Sequence, residues 1–451
     1  MKRTEPFAIR GVIEGFYGKP WSHEERLDML DFMGRHGFNA YFYSPKDDPY
    51  LRDNWQAPHP ADQLAHIDAL IQQAKACGLH FYYCLSPGVS MEYANEAHVD
   101  LVVQKFKFMY LRGVRHFTLL FDDIPQQLMH EKDRNRFEHV ADAHAQTVVQ
   151  VWELLQSFGG VERFVVCPTV YNGIGREPYI SYLGANIPKD IAIFWTGRFV
   201  CSPHLTDGDA IRFAEYTGHQ PLYWDNYPVN DLAMIHELHL GPLMHRDPQL
   251  YLHSHGYVCN AMEHVESSKI PLITIADYLN DPEGYDPDKS YRRAIEEVVG
   301  YEDAEPFMLF ADNVRSSFLN DLESPNLMDV LHDFRFQFLH GQQEVAVALL
   351  RETFEEMEES ATYLLTRMKN HKLARETHAW IKKYSYWAKV GQAATKLIDA
   401  GRKGRMISAG MQLVKLKHWL RKADRMPERV CGSVMKLFAE AVLLEVKKQR
   451  I

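Results

Sequence analysis

Short apolar runs recur through the first two-thirds of the chain: FAIRGVIEG from Phe7, NAYFYSP from Asn39, HFYYCLSP from His80, HFTLLFDD from His116, RFVVCPT from Arg163, IAIFWTG from Ile191, PLYWDN from Pro221 and GYVCN from Gly256. Runs of this length, bounded by turn residues, suit strands buried on both faces. Most gaps between them hold helix-like stretches. SHEERLDMLDFMGRHG opens with Ser22 and Glu25 as a capping box and closes at Gly37; two further stretches close at Gly78 and Gly113. Eight strands alternating with helices predict an α/β fold, the closed (β/α)8 or TIM barrel. The helices after the sixth and seventh runs are short, and Tyr227 to His255 is a long irregular connection, so the pattern is weakest there. A doubly wound open sheet is the alternative, although no GxGxxG follows the first run.

After Asn260, HVESSKIPLITIADYLND reads as the last barrel helix, and DPEGYDPDKS (Asp281 to Ser290) is a Pro/Gly/Asp-rich break. Beyond it every apolar stripe is helical: Leu327, Leu331, Phe334 and Phe338; then Leu350, Phe354, Met357, Ala361, Leu364 and Met368; then Trp380, Tyr384 and Trp387. The expected organisation is a barrel over 1–281, a linker over 282–300 and an all-α helical bundle over 301–451.

Composition narrows the function. The 451 residues are 46% hydrophobic and 24% charged, enough for two globular domains, and a net charge of -10 argues against wholesale nucleic-acid binding. No run of about 18 apolar residues occurs, and the start, with Lys2 and Arg3, has no apolar leader core before Arg10, so a cytoplasmic protein without a membrane span is expected. Six scattered cysteines show no metal-like spacing and read as reduced, mostly buried thiols. The basic residues of the last segment, among them Arg402, Lys415, Arg421, Lys447 and Arg450, read as a solvated helix face before a docking surface.

A barrel gathers its reactive groups at the carboxyl ends of its strands. Those ends carry Glu14-Gly15, Lys46-Asp47-Asp48, Ser86-Pro87, Asp122-Asp123, Thr169 with Tyr171, Trp195-Thr196, Trp224-Asp225-Asn226 and Asn260. The acid pair stands out. Neighbours on a regular strand face opposite sides, so Asp122 and Asp123 serve one site only where strand gives way to loop. Two carboxylates confined together do not ionise independently, which keeps one protonated beside an anion. The plain alternative is that one caps the turn and the other is solvated. Polar groups with Trp and Tyr faces suit a sugar. Retaining glycosidases usually hold a second carboxylate about 5 Å across the site, which adjacent aspartates fit poorly. They fit better where a 2-acetamido oxygen of the substrate is the nucleophile.

EGFYGKPW (Glu14 to Trp21), YSPKDDPY (Tyr43 to Tyr50), LLFDDI (Leu119 to Ile124), CPTVYNG (Cys167 to Gly173), WTG (Trp195 to Gly197), WDNYPVND (Trp224 to Asp231) and LGPL (Leu240 to Leu243), in that order, closely resemble glycoside hydrolase family 84. The resemblance implies a retaining β-N-acetylglucosaminidase, O-GlcNAcase-like, working through an oxazoline without cofactor or metal. It implies that Asp122 polarises the acetamide N–H and that Asp123 is general acid, then base. Tyr171 would bond the acetamide oxygen, and Trp224 with Cys167 would line the N-acetyl pocket. Gly15 (through its carbonyl), Lys46, Asp231 and Asn260 would hold sugar hydroxyls, and Asn226 would steady Asp122 and the acetamide. The implied partners are glycoproteins, glycopeptides or oligosaccharides bearing N-acetylglucosamine, with a homodimer through the helical domain left open.

Two other readings of the residues stay open. A metal-dependent barrel hydrolase would use the 23 histidines, but EGFYG lacks the HxH such sites often carry on the first strand. A non-catalytic sugar- or peptide-binding barrel is the other, against which the intact acid pair argues.

Overall fold

The structure is a computed structural model describing residues 6–448; Lys2, Arg3 and Arg450 lie outside the described residues. Each apolar run forms a strand: β1 (Ile9–Ile13), β2 (Ala40–Tyr43), β3 (His80–Leu85), β4 (His116–Leu120), β5 (Arg163–Cys167), β6 (Ala192–Trp195), β7 (Pro221–Asp225) and β8 (Gly256–Asn260). All pair in parallel in sequence order, and β1 closes on β8, with Ile13 opposite Asn260. This is the TIM barrel. Residues an even number apart on successive strands, such as Ile9 and Ile13, Ala40 and Phe42, Tyr82 and Cys84, Val165 and Cys167, and Leu222 and Trp224, form one buried cluster. That spacing is what a packed barrel interior requires.

The helices of the barrel unit are α1 (His23–Arg35), α2 (Ala61–Ala76), α3 (Glu96–Leu111), α4 (Glu131–Arg136), α5 (Val140–Gln156), α6 (Pro178–Asn186) and α7 (Asp207–Thr217), with most of α8 (Val265–Asn280), whose segment Glu266–Pro271 groups with the second unit. The capping box forms: Ser22 Oγ accepts from Glu25 N at 3.2 Å and Glu25 Oε2 accepts from Ser22 N at 2.7 Å. Gly37, Gly78 and Gly113 lie in the left-handed region, φ 77°, 74° and 101°, a conformation that ends a helix without a Cβ penalty. After β7 the expected short helix is absent. Only the 3-10 turns Leu232–Met234 and Leu250–Leu252 occur there. Buried ionic bonds tie this connection down: Arg246 Nε and Nη2 each reach Asp225 at 2.8 Å, and its remaining donors take the carbonyls of Ser202, Pro203 and Met244.

His144 on α5 lies behind the strand that leads to the acid pair. It stacks on Phe121 at 4.1 Å and hydrogen-bonds Tyr179 at 2.7 Å and Tyr93 at 2.9 Å. Complete burial pushes its imidazole down from 6.5 to about 3. Below 6.5 the unfolded chain binds this proton and the folded chain does not, so stability is lost as pH falls toward 3, at most about 1.4 kcal/mol per pH unit from this residue. The expected measurement is a flatter decline of melting temperature from pH 7 to pH 4 in His144→Gln, whatever that variant's absolute stability. An identical slope would show that His144 does not carry the dependence.

The second unit comprises Ala233–Pro242, Glu266–Pro271 and the chain from Pro287 on. Its helices are α9 (Pro287–Val299), α10 (Tyr301–Ala311), α11 (Pro325–Leu339), α12 (Gln343–Arg367), α13 (His371–Arg402), α14 (Met406–Asp424) and α15 (Val434–Lys448). The expected linker over 282–300 is therefore corrected: most of it is α9. Ala294, Ile295 and Val299 bury one face of that helix, and Pro287 sits in its first turn, where its missing N–H has no partner to lose. The stripes on α12 and α13 are core, with Leu350, Phe354, Leu364, Trp380, Tyr384 and Trp387 all buried. On α11 only Leu327 is fully buried. Glu376 accepts from the N–H groups of Glu266 and Ser267 at 3.0 and 2.7 Å, satisfying donors at the start of α8.

Candidate active site

The acid pair stands where β4 stops. Phe121 N still bonds Cys167 O at 2.9 Å, and two residues later Asp123 takes φ 55°, in the left-handed region. Aspartate tolerates that region better than most residues, and the turn removes the strand alternation that would part the two side chains. Both carboxylates consequently meet one ammonium. Lys46 Nζ, arriving just beyond β2, lies 2.5 Å from Asp122 Oδ2 and 3.8 Å from Asp123 Oδ2.

The two acids differ sharply in surroundings. Asp122 is buried; its Oδ2 takes Lys46, while its Oδ1 is buried without a hydrogen-bond partner. A buried carboxylate oxygen left unsatisfied costs on the order of 1–3 kcal/mol, which an incoming N–H relieves. Asp123 is about a third exposed and fully satisfied: Tyr17 donates to Oδ2 at 2.6 Å, Tyr171 donates to Oδ1 at 3.0 Å, and Arg52 reaches its backbone oxygen at 3.4 Å. Burial raises its carboxyl, but Lys46, the two tyrosine hydroxyls and Arg52 outweigh that and hold it below the usual carboxylate range. The expectation that one acid stays protonated beside an anion is thus not met by Asp123 in the free site. An adjacent ammonium and two hydroxyl donors favour the anion more than its neighbour's charge opposes it.

Across from the acids, the ends of β1, β7 and β8 meet. Gly15 N donates to Asn260 Oδ1 at 3.2 Å, and Asn260 Nδ2 donates to Asn226 Oδ1 at 3.1 Å. Trp224 Nε1 donates to the same Asn226 oxygen at 2.9 Å, which fixes the amide's orientation because an indole nitrogen only donates. Asn226 Nδ2 goes to Val200 O. In the free site these bonds tie Asn226 to Trp224, Asn260 and Val200. Gly15 is dictated by close approach, since a Cβ there would stand 2.6 Å from the Trp224 ring. Cys167, at the end of β5, packs in the barrel cluster with Trp224 and beside Tyr171, and burial pushes its thiol well up, making it an apolar wall. Asp231 accepts from Tyr17 N at 2.7 Å. Lys46 lies 5.4 Å from the Tyr17 ring centre and 5.8 Å from that of Trp224.

All ten residues singled out in the sequence therefore converge. Two others that hold the pair were not singled out: Tyr17, inside the EGFYG motif, and Arg52, just past YSPKDDPY. Glu14, by contrast, is structural, a buried carboxylate clasped by Arg26 at 2.7 and 2.8 Å and by Tyr41. Among the described residues, the grouping of donors with metal-like spacing is His80, His116 and Glu162, at the amino ends of β3 and β4 and just before β5. That is the opposite end of the barrel from the acids.

A sequence model of β-N-acetylglucosaminidases matches residues 10–312, and one of hyaluronidase post-catalytic domain-like segments matches residues 330–439. The proteins called Protein O-GlcNAcase of Rattus norvegicus and Mus musculus are each 30% identical over 274 residues, 59% of this chain and 29% of theirs. The match thus spans under a third of those relatives. A solved mutant of the Thermobaculum terrenum O-GlcNAc hydrolase superposes with TM-score 0.93 at 34% identity, covering 99% of this chain and 97% of the other. The solved protein CpGH84B gives TM-score 0.87 at 27% identity, covering 97% and 77%.

Proposed function

The chain belongs to the β-N-acetylglucosaminidase family, glycoside hydrolase family 84, and from that premise we propose that it releases terminal β-linked N-acetylglucosamine with retention, using the substrate's own acetamide as nucleophile. The observation that carries this reading is the unpartnered, buried Oδ1 of Asp122, an open acceptor beside the Trp224 and Cys167 wall. An acetamide N–H donating to it gains nucleophilicity at its carbonyl oxygen. That oxygen attacks C1, the C1–O bond to the leaving group breaks, and Asp123 delivers a proton to the departing oxygen. Oxazoline formation passes the acetamide N–H proton to Asp122; in the second half Asp123 takes a proton from water, whose oxygen bonds C1 as the ring C1–O bond breaks and the first proton returns to nitrogen.

For Asp123 to arrive protonated, its carboxyl has to rise on substrate binding. Tyr171 turning from Asp123 to the acetamide oxygen would remove one bond that favours the anion, and the sugar would displace water around it. Asn260, Asp231 and Lys46 would hold hydroxyls. The proposed substrates are glycoproteins, glycopeptides or oligosaccharides bearing N-acetylglucosamine, the first in keeping with the relatives called O-GlcNAcase. No described helix is long and apolar enough to cross a membrane. The free thiols suit the cytoplasm we propose for it.

The test pairs an aryl β-N-acetylglucosaminide with the matching β-glucoside. Cleavage of the first alone is expected, together with inhibition by a thiazoline resembling the oxazoline at micromolar concentration or below, since such a compound presents the geometry the site stabilises. Equal turnover of the glucoside, or indifference to millimolar thiazoline, would refute acetamide participation.

A further inference from the structure

The connection from Lys46 to Pro60 contains neither strand nor helix, yet it delivers two groups to the acid pair, Lys46 to Asp122 and Arg52 to the backbone of Asp123. Turn bonds pair part of its backbone internally, such as Asn54 N to Pro49 O at 2.7 Å and Ala57 N to Asn54 O at 3.0 Å, and the carbonyls these turns leave over need partners from outside. At its centre the carbonyls of Tyr50, Trp55 and Ala57 point at a single atom, Lys105 Nζ on α3, at 2.5, 2.7 and 2.8 Å. An ammonium has three donors, and all three are used here. Around it the segment is also held by Ser86 N to Leu51 O at 2.8 Å, Trp55 Nε1 to Ser90 Oγ at 3.1 Å, His59 Nε2 with the Tyr83 hydroxyl at 2.7 Å, and Asp48, which accepts from Tyr43 and Gln63.

We propose that Lys105 is a positioning residue for the site: by gathering three carbonyls it fixes the Lys46 to Pro60 course that keeps Lys46 on Asp122 and Arg52 behind Asp123. Without the ammonium, three carbonyl dipoles would converge on one point with nothing to join them. Lys105 touches neither acid, so its influence passes through Lys46 and Arg52. The inference rests on the reading of Asp122 and Asp123 as the reacting pair. The groups that face the ammonium electrostatically are Asp48, which favours its charge, and His59, a neutral imidazole. Burial lowers Lys105 to about 8, so the fastening weakens as pH rises past that value.

The experiment compares wild type, Lys105→Met, Lys46→Met and the double variant by kinetics, and follows amide hydrogen exchange of residues 47–60. Lys105→Met is expected to speed exchange in that segment by about tenfold or more while leaving the barrel strands protected. It should lower kcat/KM roughly 10–100-fold, the scale of a small misplacement of reacting groups. Combined with Lys46→Met it should cost less than the product of the two single losses, adding only the part carried through Arg52. Activity of the wild type should fall reversibly above about pH 8, and that limb should vanish in Lys105→Met; the wild-type arm stands even if the variant fails to fold. Unchanged exchange in residues 47–60, or losses that multiply in the double variant, would overturn the proposal. Loosened exchange in a protein whose wild type cleaves no β-N-acetylglucosaminide would instead overturn the function and leave the fastening in place.

Discussion

An Asp123→Asn enzyme is expected to turn over aryl β-N-acetylglucosaminides with good leaving groups at close to its normal first-step rate, and to lose about 10²–10⁴-fold on alkyl or peptide-linked sugars. A nitrophenolate departs without a proton, whereas a serine or sugar oxygen does not. Asp122→Asn should cut all substrates alike, by a comparable factor, since a neutral amide polarises the acetamide poorly whatever leaves. The second change also strands Lys46, whose ammonium is buried against Asp122 with both side chains about 95% covered. A lower melting temperature therefore accompanies Asp122→Asn. Leaving-group series for both variants decide the matter: parallel losses on every substrate would remove the division of labour between the two acids.

The second large effect concerns Lys46 itself. Lys46→Met keeps the apolar stem but removes the ammonium that the two carboxylates share. Breaking a buried ion pair from one side costs about 3–5 kcal/mol, because the remaining charge stays buried. The chemistry changes too. Lys46 is the foremost influence pulling the Asp123 carboxyl down against burial, so its loss moves that carboxyl upward. The alkaline limb of the kcat/KM profile, where Asp123 loses the proton it must donate, is expected to shift to higher pH, and kcat/KM at its optimum to fall on the order of 10²-fold or more. A profile unmoved on the pH axis would mean that Lys46 does not set the ionisation of Asp123.

The strands were legible because each is a short apolar stretch between turn residues, and eight of them with helices between leave little choice of architecture. The connection after β7 was not, because irregular backbone has no period. Arg246 reaching back to Asp225 fixes it, and the sequence separation of such a pair carries no local signal. Residues 287–299 read as a break for a related reason. Pro, Gly and Asp crowd the stretch just before them, and Pro287 reads equally as a break or as the first turn of a helix. The acid pair could be recognised from its place after an apolar run, and the surrounding residues from the resemblance. Orientation could not. That Asn226 serves Trp224 and Asn260, that Tyr171 rests on Asp123 in the free site, and that Tyr17 and Arg52 complete the hold are matters of rotamer and loop course.

The left-handed turn at Asp123 sets what it would take to move this chemistry elsewhere. Grafting an Asp-Asp dipeptide onto the rim of another eight-stranded scaffold would send one carboxylate inward and the other toward the helices. A designer would have to transplant the kink, with donors such as Tyr17 and Tyr171 to hold it, before the dipeptide became a catalyst.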